Sequence, residues 1–314
     1  MIGLESFRIP LRVPFRGLAE REGLLLRGSS GWGEFSPFPE YGPPITARWQ
    51  AAALEAAEGG DWPRPLRTSI PVNVTVPAVG PADAHGIVAS SGCDTAKVKV
   101  GDAGDEARVE AVRDALGPGG RLRIDVNGAW DVDTAARRIR SISRYGLEYV
   151  EQPVATVEEM AQLRRRVEVP LAADESIRLG DPRRVRELEA ADVAVLKVQP
   201  LGGVWAALEV AEMLGLPAVV SSALETSIGI AAGLALAAAL PELPYACGLG
   251  TGPMLEGDVV ADPLVPVGGR IELRRPEVDP IALGRVASGA DHRARMERRF
   301  EEARAAGALQ GHRR

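Results

Sequence analysis

The sequence predicts an α/β protein: a (β/α)7β, TIM-like barrel with a smaller α+β capping domain built from both chain ends. Three observations carry this. From residue 70 onward, short runs rich in β-branched residues alternate with stretches of helical period, the pattern of a parallel sheet made of βαβ units. Eight such runs occur, their starts about two dozen residues apart. Ionisable residues also fall at or near the C-terminal ends of five consecutive runs, where a buried strand should be apolar.

In order, the runs are 72–76, 96–100, 122–126, 147–151, 170–174, 193–198, 217–221 and 245–248. The helices between them carry their own punctuation. Thr156 with Glu159 forms a capping box, Asp181-Pro182 supplies an N-cap followed by proline, and Gly117 and Gly215 stand where helices end. Eight parallel strands with seven intervening helices suggest a closed barrel, although a doubly wound open sheet gives a similar string. Residues 1–69 read differently. Leu24-Leu25-Leu26-Arg27 and Gly31-Trp32-Gly33-Glu34 look like strands of a meander and 47–58 like a helix, which makes this segment an α+β cap. The barrel is expected over 70–249. In the C-terminal segment 250–314, Arg270-Ile271-Glu272-Leu273 is expected to return to the cap, and 291–314 reads as a basic amphipathic helix.

Composition narrows the function. With 314 residues and 46% hydrophobic content, the chain can bury a large core without staples, and Cys93 and Cys247 suggest neither a disulfide framework nor a metal pair. A formal charge of −6 argues against nucleic acid or an anionic membrane as partner. The tail, with seven arginines against four acids over 291–314, reads as a solvated helix because no groove-reading motif accompanies it. The longest apolar run, 228–240, stops at Pro241, is too short to span a bilayer and reads as a buried helix. The start Met-Ile-Gly-Leu-Glu-Ser has no export pattern, so cytoplasmic residence is expected. The sequence leaves the oligomeric state open.

The charged strand ends are Lys99, Asp125, Glu151, Asp174 and Lys197, spaced by 26, 26, 23 and 23 residues. A barrel places all five on one rim, the face where active sites of this fold are found. Singly, each reads as a strand-end residue reaching water; in register on successive strands, they read as a site. Three converging carboxylates without histidine or thiol suit a hard divalent cation, Mg2+ or Mn2+. The three histidines, His85, His292 and His312, fall at no strand end, so lysine is the expected base. Lys97 and Lys99 point to one face about 7 Å apart. A like charge that near, together with a metal, brings Lys99 towards the pKa of about 7 to 8 useful to a general base.

The motifs Lys97-Val98-Lys99, Asp125-Val126-Asn127, Glu151-Gln152-Pro153, Asp174-Glu175-Ser176, and Lys197 followed by Gly202-Gly203 resemble the enolase superfamily, specifically its muconate-lactonizing-type subgroup. The resemblance implies a metal held by Asp125, Glu151 and Asp174, Lys99 as acid and base, Lys197 on the opposite face, and a barrel closed by the cap. It implies abstraction of a proton next to the carboxylate of a small-molecule substrate. The segment Ser221-Ser222-Ala223-Leu224-Glu225-Thr226-Ser227 is similar to the seventh-strand region of members that dehydrate a hydroxycyclohexadiene carboxylate in menaquinone synthesis; the alternatives are racemization of an N-succinylamino acid, another activity of the subgroup (dipeptide epimerization or cycloisomerization) and, more remotely, a non-catalytic barrel that binds a metal or metabolite. Dipeptide epimerases of the subgroup carry an acidic pair near the eighth strand, whereas this chain reads Ala246-Cys247-Gly248-Leu249-Gly250-Thr251-Gly252. For substrate contacts, Ser222 and the loop around Gly248 are expected to line the pocket, Arg123 and Asn127 to reach the carboxylate, and the cap loop at Phe15-Arg16 to close over it. Ordinary loop packing is the competing account of each.

Overall fold

The structure, a computed structural model, describes residues 3–311. Its cap begins with an antiparallel meander of β1 (Gly3–Phe15), β2 (Leu18–Gly28) and β3 (Gly31–Phe35). The 13-residue β1 is absent from the sequence reading because Pro10 and Pro14 interrupt its alternation. Between β1 and β2 the chain reverses through Arg16 and Gly17, both at positive φ (53° and 75°), the backbone twist that a two-residue hairpin needs. Helix α1 (Pro43–Glu58) starts four residues before the predicted position, because prolines fill its first positions, where no amide donor is required.

The barrel runs through β4 (Ser69–Pro71), β5 (Val74–Val76), α2 (Pro81–Ser91), β6 (Thr95–Lys99), α3 (Asp105–Leu116), β7 (Arg121–Asp125), α4 (Val132–Ile142), β8 (Leu147–Glu151) and α5 (Val157–Arg164). It continues with β9 (Leu171–Ala173), α6 (Glu175–Arg178), α7 (Pro182–Glu187), β10 (Val193–Leu196), α8 (Val198–Leu201), α9 (Val204–Leu214), β11 (Ala218–Val220) and α10 (Ser227–Ala239). Strands β5 to β11 form one parallel sheet in sequence order. The eighth run contributes only a pair of bridges, yet these close the sheet. The Cys247 amide donates to Pro71 O at 2.7 Å and Cys247 O accepts from the Asn73 amide at 2.9 Å. The Gly248 amide donates to Val220 O at 2.8 Å and Gly248 O accepts from the Ser222 amide at 3.0 Å. One short segment thus bonds both edges, so the barrel is closed and the open-sheet alternative is excluded.

The helix signals operate as read. Thr156 and Glu159 exchange both bonds of the capping box, the Asp181 side chain accepts from the Arg183 amide, and Gly117 and Gly215 end α3 and α9 at φ 67° and 63°. Helix α10 is almost wholly buried, as its unbroken apolar run requires, and no helix among the described residues is long and apolar enough to cross a membrane. Both cysteines are buried and free.

The C-terminal segment divides its contacts. Strand β12 (Arg270–Glu272) does not return to the cap. It pairs antiparallel with β4 where the chain enters the barrel, and Ile271 joins the barrel core. The helices after it do reach the cap. In α11 (Pro280–Val286), Leu283 and Val286 pack with Phe7 and Ile9 of β1. In α12 (Ala290–Gly311), Met296, Phe300 and Ala303 pack with Phe35 and Trp49, and Phe35 meets Phe300 edge to face at 5.2 Å. The arginine-rich tail is therefore a docked helix as far as it is described; His312, Arg313 and Arg314 lie outside the described residues.

Candidate active site

Strand register assembles the site. Asp125 ends β7 and lies opposite Lys99 of β6 on one side and Glu151 of β8 on the other. Asp174 lies between β9 and α6, and Lys197 between β10 and α8. Lys99 and Lys197 stand four strands apart in an eight-membered ring, on opposite sides of the mouth. Both line one small cavity of about 40 Å³ with Phe15, Arg16, Phe38, Thr75, Lys97, Asp125, Asn127, Ser221, Ser222, Leu224, Gly248 and Thr251 among its walls. A larger cavity of about 390 Å³ lies between β5, α2 and the segment after the eighth run. Among the described residues that line it, Arg12 is the only charged one and no strand-end carboxylate reaches it, so the strand-end charges gather at the smaller cavity.

Every buried charge at the mouth has a partner, as burial demands. Lys97 Nζ donates to both oxygens of Glu151, at 2.9 and 2.7 Å, and lies 3.5 Å from Asp125 Oδ2. Lys99 Nζ donates to Asp125 Oδ2 at 2.6 Å and Asn127 Oδ1 at 2.5 Å, and lies 5.1 Å from the centre of the Phe15 ring. Lys197 Nζ donates to Asp174 Oδ2 at 2.7 Å, while Arg178 Nε donates to Asp174 Oδ1 at 3.0 Å.

These contacts set the proton affinities. Burial lowers the Lys99 pKa, and the neighbouring Lys97 ammonium adds to that against the pull of Asp125. Burial would lower Lys97 too, but Glu151 and Asp125 outweigh it and hold Lys97 above the ordinary lysine value. The two lysines of one strand are thus split into a permanent ammonium and a more readily deprotonated amine. Burial would raise Asp125 and Asp174; Lys99 and Lys97 hold the first below the usual carboxylate range, Arg178 and Lys197 the second. Glu151 is pushed up to about 7 by burial and by Asp125.

Among the described residues, no three His, Cys, Asp or Glu side chains converge closely enough, as they stand, to hold a metal. The donor set nevertheless suits a hard divalent cation: three buried carboxylates at the ends of successive strands, with neither thiolate nor imidazole among them. Ammonium and guanidinium groups now satisfy those oxygens. Beside them, Glu175 Oε2 is buried with no hydrogen-bond partner among the described residues, so the acids present acceptor capacity beyond what the cations fill.

The other predicted residues separate clearly. Asn127 (φ 51°) bridges Lys99 and Glu175, donating from Nδ2 to Glu175 Oε1 at 3.1 Å. Ser222 Oγ shares a 2.8 Å hydrogen bond with Thr251 Oγ1 on the wall. Gly248 lies so close to Ser221 that an added Cβ would stand 2.5 Å from its Oγ. Arg16 sits at the hairpin tip over Phe38, 3.4 Å from Glu40. Arg123 is a correction. It lies two residues before Asp125, about 7 Å deeper in the barrel. There its Nε donates to Glu148 Oε2 at 2.5 Å and its Nη1 to Ala246 O at 2.6 Å, with the guanidinium against Tyr149 and Tyr245. It fills the barrel floor and is not among the residues that line the cavity. Several wall and support residues carried no sequence expectation. Arg178 was detectable, because an arginine four residues after Asp174 can turn back onto it. Phe38 had no local signal, since only the docking of the cap brings it to the cavity.

The chain is similar to known proteins along most of its length. Residues 6–57 match the family described as Enolase N-terminal domain-like and residues 81–277 the family described as Enolase C-terminal domain-like. An o-succinylbenzoate synthase from Thermobifida fusca (strain YX) is 67% identical over 287 residues, 90% of each chain. Another, from Mycolicibacterium smegmatis (strain ATCC 700084 / mc(2)155), is 50% identical over 91% of this chain and 90% of its own. Among solved structures, the N-succinyl Arg/Lys racemase from Bacillus cereus ATCC 14579 superposes with a TM-score of 0.79 at 22% identity, covering 92% of this chain and 97% of its own. A muconate lactonizing enzyme from Pseudomonas fluorescens gives 0.79 at 21% identity, over 92% and 98%. The two structural likenesses speak for the fold alone, the close sequence relatives for more: the chain belongs to the enolase superfamily and, within it, to the o-succinylbenzoate synthase family.

Proposed function

We propose that the chain is a hydro-lyase that converts 2-succinyl-6-hydroxy-2,4-cyclohexadiene-1-carboxylate to o-succinylbenzoate by syn-dehydration, a step of menaquinone synthesis in the cytoplasm. The observation that carries this is a partly buried lysine of lowered proton affinity, Lys99, hydrogen-bonded to Asp125 among the strand-end carboxylates, in a chain 67% identical to an o-succinylbenzoate synthase. Neutral Lys99 takes the proton on the ring carbon that bears the carboxylate. As an ammonium it returns that proton to the hydroxide leaving the adjacent carbon, so the products are the aromatic ring and one water. Lys197, across the mouth, stabilises developing negative charge without exchanging a proton. Asn127 fixes the Lys99 amine, and Ser222, Gly248 and Arg16 border the substrate.

Asp125, Glu151 and Asp174 would hold Mg2+, with Mn2+ also suited, and the bound cation would offset charge building on the substrate carboxylate. The experiment is loss of the diene absorbance on adding enzyme, with and without EDTA. Dehydration by the untreated enzyme, abolished by chelation and restored by Mg2+, is the expected result. Absence of turnover with the diene counts against the reading. The opposed lysines also favour a second activity, α-proton exchange on N-succinylamino acids, which deuterium incorporation in D2O would reveal.

A further inference from the structure

A second cluster of buried charge lies at the seam between cap and barrel, and no step of the dehydration uses it. Arg21 of β2 is 1% exposed. Its Nε donates to Leu224 O at 3.0 Å, its Nη2 donates to Ser36 O, its guanidinium carbon lies 4.5 Å from the centre of the Phe38 ring, and its Nη1 has no partner among the described residues. Glu34 of β3 reaches the start of α10 from the cap. It accepts from the Thr226 amide and hydroxyl, from the Gly229 amide at 3.1 Å and from Ser36 Oγ at 2.6 Å. Glu225 lies beside it and accepts from the Ala223 amide at 2.6 Å. Gly229 leaves room for both acids: a Cβ there would stand 2.5 Å from the Glu225 Cβ and 3.1 Å from Glu34 Oε2.

The residues this cluster grips are walls of the active cavity. Leu224 is a branched residue at φ 65°, a conformation that costs energy and persists only where its surroundings impose it. Leu224 and Phe38 both line the cavity that holds Lys99 and Lys197. Arg21 therefore holds one wall by its carbonyl and another by its ring, and lines no part of the cavity itself.

We propose that Arg21, supported by Glu34, is a positioning residue: it fixes Leu224 and Phe38 as the walls that hold the substrate, so the seam between cap and barrel sets substrate affinity and leaves proton transfer alone. The inference rests on the dehydration reading for its substrate. In Arg21→Met the expected result, with the diene carboxylate, is a KM raised about tenfold or more, a kcat within about threefold of wild type and an unmoved pH profile of kcat. A folded variant with wild-type KM, or one whose pH profile moves while KM stays, overturns the proposal. Should Arg21→Met fail to fold, Arg21→Lys keeps the charge and loses the planar fork. Its amide hydrogen exchange should then accelerate over residues 222–229 and remain as in wild type over β6 to β9; wild-type exchange at 222–229 overturns the proposal. Exchange needs no substrate, so a wild-type chain inactive on the diene would count against the dehydration reading alone.

Discussion

The mouth of the barrel and the seam beneath the cap both bury charge, and they satisfy it by opposite means. At the mouth, each strand-end carboxylate meets an ammonium or guanidinium directly, at 2.6 to 3.0 Å. At the seam, Arg21 and Glu34 spend their hydrogen bonds on backbone and hydroxyl groups. Direct pairing lets a neighbouring group or a bound cation exchange partners, which suits chemistry. Backbone pairing fixes the chain, which suits shape. The difference teaches that a buried charge at this mouth is a movable part, while one at the seam is a fastener.

The largest expected effect tests the movable part. Lys99→Ala should lower diene turnover by about 10²- to 10⁴-fold, the range for a positioned general base, without loss of fold in circular dichroism. Turnover at the wild-type rate would remove proton transfer from the mouth and the contrast with it. Next, Asp174→Asn withdraws a carboxylate from Lys197, Arg178 and the expected cation. Mg2+ affinity by calorimetry should fall by more than the roughly 10- to 100-fold that loss of an outer-shell partner costs.

Lys97→Met sharpens the comparison through proton affinity. Its ammonium lowers the Lys99 pKa, so its removal should raise it and move the acid limb of the kcat profile to higher pH. The smallest effect belongs to the fastener. Burial and Glu225 push Glu34 up to about 7 from an ordinary value of 4.5. The folded chain then binds more protons than the unfolded chain between those values, so Glu34 makes stability fall as pH rises through that window. Glu34→Gln should flatten the pH dependence of the unfolding free energy there, by on the order of 1 to 3 kcal/mol across the window, read from denaturant titrations at each pH; an unchanged slope would show that Glu34 is ionised at the seam without penalty.

The two regions also differ in how far the sequence exposed them. The mouth was legible because a βα period repeats: Lys99, Asp125, Glu151, Asp174 and Lys197 recur at nearly constant spacing, and register in a parallel sheet brings them to one rim. Arg123 shows where that reasoning stops, since strand alternation gives the face of a residue but not its depth. The seam carried no such signal. Arg21 and Leu224 are 203 residues apart, and neither sits on a repeat that would pair them. The eighth strand was found by position, yet its reduction to two bridging residues was not, because bonding on both edges depends on the neighbours it receives.

That narrow closure bears on the order in which the molecule can form. The sheet edge at Val72, just before β5, meets no closing partner until Cys247 arrives, and the cap helix α1 lacks the packing of α12 until the last helix is made. During synthesis the first three-quarters of the chain therefore carries an unsealed strand edge and an apolar cap surface. Contacts of such long sequence separation form slowly and leave partly folded chains prone to association. Truncation just before Cys247 should yield aggregates, while truncation within α12 should spare the barrel and loosen the cap.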